Sequence, residues 1–213
     1  MSSSKAVISC ALTGVLTNTE KFPVPVTPEE MAAEARRAFD AGASIMHVHV
    51  RDQRPRMGAL PSWNPDDFAA ICDAIRDACP GVLINLTTGV VGPDVSQPIA
   101  CLERVKPEMA AMNAGSLNYL RARKDGNWAW PPMLFDNPVE KIQKFLNCMY
   151  ENNILPEFEC FDTGIVRSVT MFRDVGMAKG HIDVSMILGV ASGLPAKADW
   201  INLVKEEIPD GAT

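Results

Sequence analysis

Residues 44–52 have the sequence Ser44-Ile45-Met46-His47-Val48-His49-Val50-Arg51-Asp52 and predict a buried β-strand that ends in polar residues. The chain holds three histidines, and two of them, His47 and His49, lie here. Residues i and i+2 of a strand point to one face, so both imidazoles are expected to converge near the carboxyl end of the strand. Two neutral imidazoles at one point form half of a zinc or similar transition-metal site.

The same two histidines allow a second interpretation, as core residues whose ring nitrogens bond to the backbone. Burying an unpaired polar ring is costly, so either a metal ion or hydrogen bonds must satisfy both rings. The spacing of His47 and His49 alone leaves these two interpretations open.

Short apolar runs alternate with longer helical patterns along the 213 residues. The apolar runs predict six strands, over 6–12, 44–50, 82–85, 109–112, 157–160 and 181–188. Helices are predicted over 27–41, 65–79, 98–105, 138–153, 164–175 and 197–207, and Thr27 and Glu30 form a capping box at the start of the first. This alternation predicts an α/β fold with a parallel sheet.

Two architectures fit this alternation, a doubly wound sheet and a TIM (β/α)8 barrel. No GxGxxG follows the first strand, so a dinucleotide-binding sheet has no positive support. Polar residues follow several strands, and a barrel gathers such residues into one ring: Arg51-Asp52, Thr87-Thr88-Gly89, Asn113, Ser116 and Asp162. We expect a single TIM-barrel domain over residues 1–213, truncated before strand 7, because eight units need roughly 250 residues.

Charge and cysteine content restrict the compartment and the partners. A net charge of −6 argues against nucleic acid as the main partner. Six cysteines without CxxC spacing are typical of reduced thiols in a cytoplasmic protein. No apolar stretch is long enough to span a membrane, so a membrane partner is not expected.

Several short motifs occur in the order found in one family. They are Cys10-Ala11-Leu12-Thr13-Gly14, Thr27-Pro28-Glu29-Glu30, His47-Val48-His49-Val50-Arg51-Asp52, Asn85-Leu86-Thr87-Thr88-Gly89, Asn113-Ala114-Gly115-Ser116-Leu117-Asn118 and Glu157-Phe158-Glu159-Cys160-Phe161-Asp162. By these motifs the chain resembles the β-keto acid cleavage enzymes. The resemblance runs from Lys5 to the last residue.

The resemblance implies a TIM barrel with one zinc ion. It also implies a reaction, the conversion of a β-keto acid and acetyl-CoA into acetoacetate and a new acyl-CoA. His47 and His49 match two of the family's zinc ligands. The third ligand is a glutamate expected beyond residue 213.

The resemblance also implies a set of substrate-binding residues. Thr87, the backbone at Gly89 and Val90, and Ser116 match positions that hold the keto acid's carboxylate and carbonyl. Leu16 falls where the typifying enzyme has a glutamate that binds the substrate's amino group. The substrate of this chain is therefore expected to have a variable end that is not an ammonium group.

Glu159 and Arg51 are the predicted catalytic residues. Glu157 and Glu159 alternate on one strand and share a face, and Glu159 matches an active-site glutamate of the family. We assign Glu159 to proton transfer or to orienting a metal ligand, and Glu157 to neutralising a buried cation. Arg51 either holds a carboxylate or thioester, or forms a salt bridge with Asp52 or Glu159.

The apolar segment Trp128–Phe135 is predicted to be a loop that covers the barrel mouth or a subunit contact. A homo-dimer or homo-tetramer is therefore expected. Two other functions stay open at this point, a metal-dependent hydrolase barrel and a truncated, inactive chain that only binds partners. A hydrolase would use no CoA, and its HxH pair usually lies on the first strand.

Overall fold

The computed structural model describes residues 6–15, 17–190 and 192–213, which form an α/β fold. They divide into two compact units that are interleaved along the chain. The first unit comprises the described residues of Met1–Thr87, Ser96–Ala110 and Asn152–Ile154. The second comprises those of Thr88–Val95, Ala111–Glu151 and Leu155–Thr213.

Parallel strands form the centre of the first unit, in the order β1 (Ser9–Ala11), β2 (Ile45–Val48), β3 (Leu83–Leu86) and the start of β4 (Met109–Asn113). In this register His47 lies between Ala11 on β1 and Asn85 on β3. The predicted parallel pairing is therefore confirmed, and it places the histidine strand between two neighbours.

Three helices belong to the first unit: α1 (Pro28–Asp40), α2 (Pro65–Ala78) and α3 (Ser96–Val105). The predicted capping box at the start of α1 is present, because Thr27 accepts from Glu30 N–H and the Glu30 carboxylate accepts from Thr27 N–H. Helix α2 buries Phe68, Ile71 and Ile75, which supply apolar area that favours folding.

The second unit continues the strand order with the end of β4, then β7 (Leu155–Cys160) and β8 (Asp183–Met186). Phe158 and Cys160 of β7 are fully buried, whereas Glu157 and Glu159 are half-buried, as the two-residue period of a strand requires. The helices of this unit are α4 (Val139–Glu151), α5 (Thr163–Asp174) and α6 (Asp199–Lys205).

A small antiparallel pair in the second unit corrects the prediction of a loop over Trp128–Phe135. Strand β5 (Leu117–Tyr119) pairs with β6 (Met133–Phe135), and an isolated bridge joins Ala122 to Trp128. The sequence does not predict β6 because two prolines precede it, and proline lacks the N–H that pairing between strands uses. We call residues 117–135 the aromatic hairpin.

The first and last predicted strands are shorter than expected, and each lies at one end of the strand order. Strand β1 covers Ser9–Ala11 of the predicted 6–12, and β8 covers Asp183–Met186 of the predicted 181–188. Within the described residues, no helix combines the length and apolar character needed to cross a bilayer.

Candidate active site

The two histidines of the central strand lie next to each other, as their spacing predicts. Their ring centroids are 4.7 Å apart and the ring planes meet at 70°. Both residues are half-buried, and the side chain of Asn85, the partner of His47 on β3, hydrogen-bonds to His47. Strand pairing thus fixes one ring directly and holds the second beside it.

Both imidazoles are neutral at physiological pH. Burial, and then the nearby His47 and Arg51, lower the pKa of His49 to about 3. Burial also lowers the pKa of His47, partly offset by its hydrogen bond with Asn85. A neutral imidazole keeps a lone pair on one ring nitrogen, which is the form that binds a metal ion.

A buried ring nitrogen of His49 distinguishes between the two interpretations of the histidine pair. Its Nδ1 is inaccessible to solvent and has no hydrogen-bond partner among the residues that the structure describes. A core histidine held by the backbone would have this nitrogen paired, because an unpaired buried polar atom is costly. The residues present therefore fit a metal ion.

Arg51 is fully buried and is used to connect loops of the first unit. Its Nε donates to Thr13 Oγ1 at 3.0 Å, Nη2 to Thr17 O at 3.2 Å, and Nη1 to Gly58 O at 3.3 Å and Ala59 O at 3.4 Å. Every one of these acceptors is a neutral oxygen. The guanidinium therefore orders the loop that follows β1 and contributes positive charge near His49.

The salt bridge considered between Arg51 and Asp52 is not formed. Asp52 instead pairs with Arg54, and this side-chain hydrogen bond is the main reason that the pKa of Asp52 falls to about 2. Arg54 is mostly exposed, so the pair is a surface interaction that contributes little to stability.

The segment after β3 begins with two buried threonines. Thr87 N–H donates to Val48 O at 3.1 Å, which extends the β2–β3 pairing by one residue. Thr88 Oγ1 donates to Ala111 O at 2.5 Å, so its hydroxyl is committed to holding the strand end. Of the two, Thr87 is the one predicted to bind substrate, whereas the Thr88 hydroxyl has a structural role.

A buried lysine fixes the continuation of this segment at the predicted substrate residues Gly89 and Val90. Lys141 Nζ donates to Val90 O at 2.5 Å and to Asp136 O at 2.8 Å. Burial lowers the pKa of Lys141, opposed by the Asp136 carboxylate 4.0 Å away. The sequence prediction does not include Lys141, although a lysine on the apolar face of an amphipathic helix indicates a buried, paired ammonium group.

Ser116 is exposed and holds the turn after the aromatic hairpin. Its Oγ accepts from Asn137 N–H at 2.7 Å, and Asn137 Nδ2 donates to Gly115 O at 3.2 Å. The Ser116 hydroxyl hydrogen is not used in these contacts. A ligand oxygen can therefore still accept it.

Glu159 is a half-buried carboxyl group with a raised pKa. Burial, and then the negative charge of Glu157, raise the pKa of Glu159 to about 7. General acid–base groups are most effective when their pKa lies near the working pH. The strand register places Glu159 opposite Ser185 and Glu157 opposite Asp183 on β8.

Two other positions complete the comparison with the predicted site. Leu16 lies outside the described residues. The third histidine, His181, hydrogen-bonds through Nε2 to Thr213 Oγ1 at 2.6 Å.

Relatives with stated activities cover most of this chain. It is 32% identical over 211 residues to a 3-keto-5-aminohexanoate cleavage enzyme of Fusobacterium nucleatum, spanning 98% of this chain and 71% of the relative. It is 27% identical over 209 residues to a 3-oxoadipate:acetyl-CoA acetyltransferase of Cupriavidus necator, spanning 96% and 68%.

A solved structure, the ternary complex of ObcA with a C4-CoA adduct and oxalate, has a similar fold. The TM-score is 0.59 at 23% identity, and the match covers 78% of this chain and 38% of that chain. The present chain thus spans less than two-fifths of the solved protein.

A family model covers nearly all of the chain. The model for the beta-keto acid cleavage enzyme matches residues 5–213. The match includes the histidine strand, the segment after β3 and strand β7. The predicted resemblance is confirmed, and the chain belongs to the beta-keto acid cleavage enzyme family.

Proposed function

We propose that this protein transfers an acyl group between a β-keto acid and acetyl-CoA, yielding acetoacetate and a new acyl-CoA. The observation that carries the proposal is the neutral His47–His49 pair with the buried, unpartnered Nδ1 of His49. The family and the stated activities of the relatives support the choice of reaction. We further propose that the parallel strand–helix units are those of a TIM (β/α)8 barrel.

A divalent metal ion, proposed to be zinc, would be held by His47 and His49. When bound, it supplies Lewis-acid stabilisation of negative charge that develops on the keto acid's oxygens. Imidazole is a ligand type suited to zinc, and both rings are neutral without any proton having to leave them.

Glu159 would move the proton that starts and ends the reaction. Its carboxylate takes a proton from C2 of the β-keto acid, and C2 then attacks the thioester carbonyl of acetyl-CoA, expelling CoA thiolate. The thiolate attacks the C3 ketone, the C2–C3 bond breaks, and the new acyl-CoA leaves. C2, now part of acetoacetate, recovers the proton from Glu159, so the carboxylate is regenerated.

The remaining predicted residues would bind and orient the keto acid. The Ser116 hydroxyl, the Thr87 side chain and the backbone at Gly89 and Val90 offer donors to its carboxylate and carbonyl. Arg51 supports them by ordering its loop and by contributing a positive charge. Leu16 favours a substrate with an uncharged or anionic variable end.

Acetoacetate release from a panel of β-keto acids, with and without acetyl-CoA, tests the proposal. We expect acetoacetate only when both substrates are present, and faster release with neutral or carboxylate termini than with amino termini. Turnover that proceeds without acetyl-CoA would indicate a hydrolase. Activity unaffected by complete metal removal would refute the role of His47 and His49.

We also propose that the protein is cytoplasmic. None of the six cysteines, all of which lie in the described residues, forms a disulfide, as expected for a reducing cytoplasm. Homo-oligomerisation stays a prediction, which sedimentation of the purified protein tests.

A further inference from the structure

A cavity of about 680 Å³ in the second unit lies against the aromatic hairpin. The hairpin contributes Tyr119, Arg121, Trp128 and Trp130 to its wall, and Gly189 follows from the segment after β8. Its volume lies within the roughly 300–1,000 Å³ of small-molecule sites. None of the functional residues assigned above that the structure describes lines it, so its features require a separate explanation.

The wall of this cavity is aromatic. Tyr119 and Trp130 stack with ring centroids 5.8 Å apart and planes at 22°. Trp128, which forms an isolated bridge with Ala122 on the opposite arm of the hairpin, is 52% exposed. An exposed indole on a rigid hairpin is a platform on which a flat heterocycle can stack.

The same wall carries positive charge. The Arg121 guanidinium lies over the Trp130 ring, with Cζ 5.8 Å from its centroid, and none of the described residues that line the cavity is acidic. Arg123 and Lys124 follow on the same arm of the hairpin, next to Asp125 and outside the cavity lining, in a chain whose net charge is −6. A local basic cluster on an acidic protein favours an anionic ligand, and guanidinium groups match phosphate oxygens.

One polar atom of the wall lacks an acceptor. The Nε1 of Trp130 is buried and has no hydrogen-bond partner within residues 6–15, 17–190 and 192–213. Indole N–H groups usually find an acceptor when they are buried. A ligand oxygen or ring nitrogen inside the cavity would supply it.

We infer that this cavity binds a nucleotide, and that its occupant is the adenosine 3′,5′-diphosphate end of coenzyme A. The assignment to coenzyme A rests on the proposed function, whereas the nucleotide class rests on the cavity alone. The base stacks on Trp128, Arg121 binds phosphate, and Trp130 Nε1 donates to the ligand. The surface thus has one occupant that uses its aromatic, cationic and donor groups together.

Calorimetric titration of the full chain with adenosine 3′,5′-diphosphate tests the inference. Trp128→Leu and Arg121→Ala should each weaken nucleotide binding, raising the dissociation constant about tenfold, because each removes one group that contacts the nucleotide. Trp130→Phe, which keeps a ring and removes the N–H, should weaken it by about threefold to tenfold. Arg167→Ala, an exposed arginine of α5, is the matched control and should change it less than twofold.

Folding of the variants is checked by circular dichroism, and Arg121 and Trp128 are exposed enough to be replaced safely. Absence of binding by the parent chain at millimolar nucleotide would overturn the inference. So would unchanged dissociation constants in folded Arg121→Ala and Trp128→Leu proteins. A Trp128→Leu protein that dissociates into smaller species but binds the nucleotide normally would show that the wall contacts a second copy instead.

Two further measurements separate this inference from the proposed function. Adenosine 5′-diphosphate should bind about tenfold more weakly, and equal affinity would overturn the assignment to coenzyme A. In the acyl-transfer assay the Arg121→Ala protein should show a raised KM for acetyl-CoA with an unchanged KM for the keto acid. Nucleotide binding with the expected variant pattern but no turnover of any β-keto acid would sustain the site and refute the proposed function.

Discussion

The chemistry proposed for this protein depends first on single buried atoms. The sequence predicts that His47 and His49 share a face, because the two-residue period of a strand fixes where side chains point. It does not predict that Nδ1 of His49 lacks a partner, because hydrogen bonding depends on atoms brought together only by folding. The shared face of His47 and His49 is therefore predictable from the sequence, whereas the unpartnered Nδ1 is not.

Replacing His49 with alanine should remove bound metal. We expect zinc affinity to fall at least about tenfold, because one of the two assigned nitrogen ligands is lost. Metal content after dialysis, measured by mass spectrometry, reports the change. His181→Ala is the matched control, since this histidine is bonded to Thr213, and it should keep its zinc. Equal metal content in the His49→Ala protein would exclude the ligand role.

Glu159→Gln should lower turnover at least about 100-fold while substrate binding persists, because the amide cannot accept the proton. In the unsubstituted protein, the plot of kcat/KM against pH should fall on its acidic side with an apparent pKa near 7. Glu157→Gln should move this fall to lower pH, since removal of a neighbouring negative charge eases ionisation of Glu159. A fall that stays in place in the Glu157→Gln protein would contradict the electrostatic coupling.

The raised pKa of Glu159 also predicts how stability changes with pH. Between its ordinary value of 4.5 and about 7, the unfolded chain releases a proton that the folded chain retains. The free energy of unfolding therefore falls as pH rises through this window, by about 1–3 kcal/mol in total.

Metal-free protein unfolded in urea at pH 4.5 and pH 8 tests this expectation. Relative to the parent chain, Glu159→Gln should gain stability at pH 8 and change little at pH 4.5. A gain of equal size at both pH values would trace the effect to packing instead of ionisation.

At the scale of elements, helix starts were predictable and short strands were not. The capping box of Thr27 and Glu30 is a local signal, and it marks the start of α1 correctly. Strand β6 has three residues after two prolines, and its pairing with β5 depends on a partner 14 residues away in sequence or more. Such pairing is decided by the packing of distant segments, which local propensity does not encode.

Helix α4 is expected to hold the predicted substrate-binding backbone at Gly89 and Val90 in place through Lys141. Lys141→Met removes the donor to Val90 O, a part-buried contact, so stability should fall by about 1–3 kcal/mol. The KM for the β-keto acid should rise while the KM for acetyl-CoA stays unchanged. Lys144→Met, an exposed neighbour on the same helix, should alter stability by less than about 0.5 kcal/mol. Equal effects of both variants would remove Lys141 from this role.

At the scale of the whole molecule, the alternation of strands and helices predicted the α/β class and the motif order predicted the family. The division into two units was not predictable, because it reflects contact density that no sequence motif marks. The acyl group of the substrate is likewise undetermined by residues 1–213, since the position expected to read it, Leu16, is a single aliphatic side chain.

A piece covering residues 88–213 should not fold by itself. It would carry α3 without its packing partner α2, exposing Cys101 and Leu102, which are buried in the whole chain. We expect no cooperative urea transition by circular dichroism, in contrast to the full chain. A sharp transition in this piece would show that the second unit is autonomous.

The chain passes from one unit to the other five times. No single cut of the gene can therefore release either half intact, and shuffling this protein with a relative by one crossover would mix segments from both. Recombination that preserves each unit would need several coordinated exchanges. The two units are therefore expected to be inherited together.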